Sequence, residues 1–173
     1  WNGLSPFGKD VIRKMNELGI LVDISHAAES TFYDALETSA YPIIASHSSA
    51  RALCNHPRNL TDEQLKALAA QGGVVQVCLY KGFINEDAEK ASLSDAIRHI
   101  THIVDLIGIH HVGIGSDFDG DGELIGCRAS NELINITVRL IKEGYTENDI
   151  AKIWGGNLLR VMNKAQSASN NKI

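Results

Sequence analysis

The chain has 173 residues, 44% of them apolar, and a formal net charge of -5. That is the size of one ordinary domain with enough apolar content for a sizeable core, and the 16 scattered basic residues leave no electrostatic footprint for nucleic acid. No apolar run is long enough to cross a bilayer, the first residues are not a signal peptide, and Cys54, Cys78 and Cys127 match neither a C-x-x-C metal pattern nor a disulfide framework.

Ser5-Pro6 opens a helix, with a capping hydroxyl and a Pro whose missing N–H would be unpaired there anyway. Val11, Ile12, Met15 and Leu18 recur at helical spacing until Gly19 stops them. A first strand, Ile20 to Ser25, follows at once; a second helix covers Ala28 to Thr38, and a second strand runs from Tyr41 to Ser46. The segment Ser48 to Asn59 is irregular, with Pro57 leaving Arg58 in a loop. Thr61-Asp-Glu-Gln64 is a capping box, with Leu60 and Leu65 placed as a hydrophobic staple, and its helix runs to about Gln71. Val74 to Leu79 is a third strand, apolar except for Gln76, as expected when both faces are covered.

After a loop around Lys81 to Ala91, Ser92 caps a helix whose apolar face is Ile97, Ile100, Val104 and Ile107. Gly108 ends it, His111 to Gly115 is a fourth strand, and Ser116 to Gly122 is a Gly/Asp-rich loop. Asn131 to Glu143 and Thr146 to Trp154 read as helices, and Gly155-Gly-Asn157 breaks the path before a short helix to about Lys164. Residues 1–165 thus form one unit, and Gln166 to Ile173 reads as a polar, frayed tail. Strand and helix alternate, which implies a parallel α/β sheet with right-handed crossovers. Four strands make either a small doubly wound sheet or half of an eight-stranded barrel.

Two strands end alike, Leu21-Val-Asp-Ile-Ser-His26 and Pro42-Ile-Ile-Ala-Ser-His47. Adjacent parallel strands would set His26 and His47 side by side at the carboxyl edge, where α/β enzymes bind ligands. A pair of zinc ligands is one reading; two buried, hydrogen-bonded histidines is the other, since two ligands do not complete a site. Asp117, at another strand end, is placed to move protons for a metal-bound water, or is a turn residue bonding its own backbone, the preferred reading for Asp119 and Asp121. Arg58 can clamp a substrate carboxylate or stand solvated. His99 and His102 lie off the apolar stripe and read as surface residues, His110 and His111 fall at the amino edge, and His56 stays undecided. Ser25, Ser46 and Ser48 read as local hydrogen-bonding residues rather than nucleophiles.

Several stretches resemble the renal (membrane) dipeptidase-like metallopeptidases: Gly3-Leu-Ser-Pro-Phe-Gly8, Met15 through His26, Ser46-His-Ser-Ser-Ala-Arg51 with His56-Pro-Arg-Asn59, Gly72-Gly-Val-Val75, His111 through Gly120, and Gly155-Gly-Asn157. They follow the family's order up to about Met162. The resemblance implies a dipeptidase on a TIM-type (β/α)8 barrel with two zinc ions bridged by a carboxylate and by water or hydroxide. His26 and His47 resemble the histidines that hold one zinc, Arg58 the arginine that binds the substrate's free carboxylate, and Asp117 the acid/base that passes a proton to the leaving amine. Tyr80 falls where the family lines its substrate pocket.

The family's His-x-Asp motif, bridging glutamate and a further substrate-facing histidine belong to an amino-terminal half that has no counterpart here. What remains resembles the last four strands of eight, a half-barrel that alone should bind metal poorly and should not hydrolyse peptides. It is expected either to be the carboxyl-terminal part of a larger dipeptidase, or to pair with a second copy as a non-catalytic assembly or binding module that covers its sheet edges. No membrane or nucleic-acid partner is expected. The unpaired cysteines favour the cytoplasm, with a lost amino-terminal signal left open because the chain begins without Met.

Overall fold

Three parallel strands, β1 (Ile44–Ala45), β2 (Val74–Cys78) and β3 (Val112–Ser116), lie side by side in that order in a computed structural model that describes residues 1–170. The expected first strand, Ile20 to Ser25, runs along β1 but makes a single parallel bridge, Asp23 to Ile44. Ile24 N–H donates to the Ile44 carbonyl and Ile44 N–H to the Val22 carbonyl, each at 2.9 Å. The four-stranded expectation is therefore corrected to three strands and one bridged segment. The physical reason is Asp23: its Oδ1 accepts from the Ser25 and Ser46 amides, each at 3.0 Å, so a carboxylate replaces the next rung of the backbone ladder. The same substitution ends the second strand, expected over Tyr41 to Ser46, at Ala45; at its amino end the Tyr41 and Ile43 amides donate to Ser39 Oγ and Gln71 Oε1 instead of to a neighbouring strand, which leaves Ile44–Ala45.

Local signals set the helices. Ser5 accepts from Gly8 N–H to cap α1 (Pro6–Glu17), and α2 is Glu29–Thr38. The Thr61–Gln64 capping box opens α3 (Asp62–Ala70). The expected loop after β2 holds a single-turn helix, α4 (Lys81–Ile84), and a 3-10 turn, Ala88–Lys90. A Ser92–Asp95 box opens α5 (Leu93–Ile107), which ends at Gly108 with φ 86°, a left-handed conformation that glycine adopts without strain. α6 (Ile134–Lys142) and α7 (Glu147–Ala151) follow, and a π-type turn, Lys152–Gly156, leads into α8 (Asn157–Asn170). The polar stretch read as a tail from Gln166 continues α8 as far as Asn170; residues 171–173 lie outside the described part.

The pleat divides the core. Val75, Val77 and Leu79 join Phe32, Leu65, Leu68, Ile100 and Ile103 in one apolar cluster, while Ile44 and Val74 pack with Val161 of α8 in a smaller one. Each such side chain contributes about 1.5–3 kcal/mol on burial. His99, expected at the surface, is 1% exposed. α5 is covered on more sides than its apolar stripe announces: Ala50 N–H donates to His99 Nδ1, and Nε2–H donates to the Ile84 carbonyl, both at 3.1 Å.

α8 closes the amino edge of the sheet. Asn157 Nδ2 donates to the carbonyls of Ile109 and Val112 at 2.7 and 2.8 Å, and Arg160 donates to those of Gly72 and His110 at 2.9 and 2.8 Å. His111 also belongs to this edge, where its Nδ1 donates to the Gly73 carbonyl at 2.8 Å. The carboxyl edge is left for chemistry. Among the described residues no helix is long and apolar enough to cross a membrane.

Candidate active site

At that edge the two Ser-His endings meet. His26 Nε2 and His47 Nε2 stand 2.8 Å apart, with ring centroids at 4.9 Å and an interplanar angle of 60°. His26 holds φ 69°, a left-handed backbone that costs a non-glycine residue about 1–2 kcal/mol and turns its ring back toward β1.

Proton positions follow from the two ends of a hydrogen-bond chain. Arg58 Nη1 lies 2.8 Å from His26 Nδ1, and a guanidinium can only donate, so Nδ1 accepts and the neutral His26 ring carries its proton on Nε2. That proton points at His47 Nε2, which must accept, leaving His47 protonated at Nδ1. Nδ1 is 2.8 Å from Ser46 Oγ, whose own hydroxyl proton goes to the Asp23 carboxylate. A donor-only group starts the chain and an acceptor-only group ends it, so one direction satisfies every link. Desolvation first and then the positive charge of Arg58 hold the His26 pKa below its ordinary value, with the neighbouring His47 acting in the same direction, which favours the neutral ring.

Arg58 is delivered by a loop braced from several sides. Arg51 donates to the carbonyls of Pro57 and Asn59, each at 3.0 Å, and pairs with Glu29 at 3.5 Å. Asn59, fully buried, accepts from Ser49 N–H at 3.1 Å and donates to the carbonyls of Cys54 and Phe83 at 2.9 and 2.8 Å. His56 takes a structural part: its Nδ1 accepts from Arg58 N–H at 3.1 Å and its ring lies 4.5 Å from that of Phe83. The Arg58 guanidinium sits 5.2 Å over the Phe83 ring, and its buried Nη2 has no hydrogen-bond partner among the described residues. A cavity of about 220 Å³ opens beside His26 and Arg58.

Asp117 stands at the end of β3 with φ 74°, after Ser116 at φ 37°. Its Oδ2 accepts from the Cys78 thiol at 3.6 Å, and burial pushes that thiol up to about 12, so it stays a neutral donor. The Asp117 charge reaches His26, where it opposes the downward shift. Tyr80 is one step removed: its ring packs edge-on against Phe83 at 4.8 Å, and Phe83 in turn carries Arg58.

The fold thus gathers His26, His47 and Arg58 directly, puts Asp117 on the same edge, and connects Tyr80 through Phe83. Among the described residues no group of three or more His, Cys, Asp or Glu side chains converges as a metal centre. Sequence reasoning passed over Asp23, Asn59, Arg51 and Cys78. Of these only Asp23 left a local signal, an Asp two residues before Ser25 whose amide it accepts from.

The sequence matches the profile of the membrane dipeptidase family, peptidase family M19, over residues 1–172. The chain belongs to the membrane dipeptidase family. Dipeptidase tcpJ of Claviceps purpurea is 36% identical over 169 residues, which cover 97% of this chain and 40% of that protein. An uncharacterized dipeptidase of Schizosaccharomyces pombe is 40% identical over 161 residues, 92% of this chain and 39% of its own length. This member therefore spans about 40% of the curated relatives it matches. Among solved structures, the probable dipeptidase PvdM from Pseudomonas aeruginosa superposes with a TM-score of 0.93 at 29% identity, over 96% of this chain and 55% of that one. A metallopeptidase from Rhodobacter sphaeroides, liganded with a phosphinate mimic of L-Ala-D-Ala, gives 0.90 at 31% identity, over 95% and 48%.

Proposed function

We propose that this chain supplies the carboxyl-terminal half of a TIM-type barrel and, with it, one side of a two-zinc dipeptidase site. The observation that carries the reading is the pair of imidazole Nε2 atoms converging from neighbouring parallel segments, in a chain of the dipeptidase family. Their donor chemistry fits zinc, which takes neutral imidazole nitrogen. Two ligands are present and a catalytic zinc takes at least three from protein, so the others come from polypeptide outside this chain. When bound, zinc supplies Lewis acidity and an acidified water.

His26 and His47 hold one zinc. For His26 to offer its Nε2 lone pair, its proton moves to Nδ1, and Arg58, which can only donate, has to release that atom. The released guanidinium, with its spare Nη2, then clamps the carboxylate of a dipeptide in two-pronged fashion. Asp117, oriented by the Cys78 thiol, hands a proton to the leaving amine. Tyr80 lines the pocket beside Phe83. The phosphinate dipeptide mimic bound by the Rhodobacter sphaeroides relative supports a substrate of that shape. Alone, the chain is expected to bind zinc weakly and to leave dipeptides intact.

In the longer protein that provides the remaining ligands, His26→Ala or His47→Ala is expected to remove one zinc per chain and nearly all dipeptide turnover. Full metal content and rate in both variants would overturn the reading. A second reading, a non-catalytic half-barrel that assembles with a copy of itself, is favoured by exposed apolar stripes on α1 with its C-cap and on α6, where Phe7, Leu18, Ile134 and Ile141 are 76%, 58%, 62% and 59% exposed.

A further inference from the structure

We propose that Asp23 is a positioning residue that sets the proton of His47 from two hydrogen bonds away, and so decides whether His47 can hold a metal ion. The inference rests on the zinc reading above and adds a residue to it. A histidine ligates through a bare nitrogen, and the proton on its other nitrogen must be received by an acceptor. For His47 that acceptor is Ser46 Oγ, 2.8 Å from Nδ1. A hydroxyl can face a ring nitrogen as acceptor or as donor. If Ser46 turned its proton toward Nδ1, the ring proton would move to Nε2 and the lone pair would vanish from the metal side. The Asp23 carboxylate removes that choice by accepting the Ser46 hydroxyl proton.

The same carboxylate fixes both Ser-His endings in space. Its Oδ1 accepts from the Ser25 amide, next to His26, and from the Ser46 amide, next to His47, each at 3.0 Å. Ser25 returns the contact, its Oγ accepting from His47 N–H at 3.0 Å. The repeated Ser-His is thus one device: each serine precedes a candidate ligand, and Asp23 ties the two together.

The test uses the isotopically labelled chain at pH 8 with Arg58→Ala as the common background, so that His26 no longer has to point its proton at His47 Nε2, and reads long-range proton–nitrogen spectra of the imidazoles and titration with zinc alone. In that background, with Asp23 in place, the His47 proton is expected on Nδ1. Asp23→Asn keeps Oδ1 for the two amides but presents an N–H to Ser46 and reverses the relay: the His47 proton is expected to shift toward Nε2. The zinc midpoint is then expected to rise by about 10- to 100-fold, as for other lost outer partners. Ser46→Thr, with Asp23 in place, keeps a hydroxyl that donates to the carboxylate and should leave both readouts unchanged; backbone amide shifts away from residues 20–26 and 44–48 report that the variants fold. An unchanged tautomer and midpoint in Asp23→Asn would overturn the relay while leaving the zinc reading intact. A tautomer switch in Asp23→Asn, together with unchanged zinc content in His26→Ala and His47→Ala of the longer protein, would uphold the relay and sink the zinc reading.

Discussion

Gly115 shows how closely the backbone is fitted at the carboxyl edge. A Cβ there would lie 2.3 Å from the Ser46 carbonyl oxygen and 3.0 Å from the Cα of His47, both backbone atoms with nowhere to yield. Gly115→Ala is therefore expected to push the β1 exit aside at a cost of about 1–3 kcal/mol, lowering the urea midpoint and shifting the His47 imidazole signals; unchanged values for both would refute the fit. His99 makes the chain sensitive to acid. Burial holds its pKa down to about 4 against 6.5 in the unfolded chain, so the neutral ring belongs to the folded state. Stability is then full above about pH 6.5 and falls as pH drops toward 4, by about 3 kcal/mol in all. His99→Gln has no proton to gain, and urea midpoints measured from pH 7.5 to 4.5 are expected to lose that part of the slope.

The loop between β1 and α3 matters more than its irregular sequence suggests. It carries Arg58, and its order rests on Asn59, which serves the Ser49 amide and the carbonyls of Cys54 and Phe83. Asn59→Ala strands those groups in the interior and is expected to cost about 2–3 kcal/mol. Thr61→Ala removes the capping hydroxyl that accepts from Gln64 N–H at 3.2 Å and is expected to cost about 1 kcal/mol. Hydrogen exchange separates the two: amides from Ser48 to Arg58 should open faster in Asn59→Ala and stay near wild type in Thr61→Ala. The capping box of α3 was legible because both partners sit three residues apart. The shortened first two strands were not, because what stops their ladder is a side chain of Asp23 reaching across to Ser46.

On the scale of the whole molecule, β3 has no strand partner on its outer side among the described residues, and β1 is flanked only by the segment bridged at Asp23. The flanking helices repeat the pattern: Phe7 and Val11 on α1 with Leu18 at its C-cap, and Ile134, Val138 and Ile141 on α6, are exposed at helical spacing. In longer relatives more than half of the polypeptide has no counterpart here, and we propose that the corresponding part covers these surfaces. In isolation the chain is expected to associate, since apolar stripes beside open strand edges favour pairing. Phe7→Glu combined with Ile141→Glu should shift its sedimentation toward monomer as concentration is lowered; a wild-type chain that stays monomeric at high concentration would contradict this.

The sequence alone determined the parallel α/β order, the helix starts, and the strand ends that carry His26, His47 and Asp117, because periodicity, caps and terminal residues are properties of neighbours along the chain. Only the tertiary structure decided that Asp23 ends a proton relay, that Asn59 and Arg51 brace Arg58, that Cys78 donates to Asp117, and that His99 lies inside. Each of those depends on residues distant in sequence brought within hydrogen-bond reach, and no local pattern encodes a distance across a sheet.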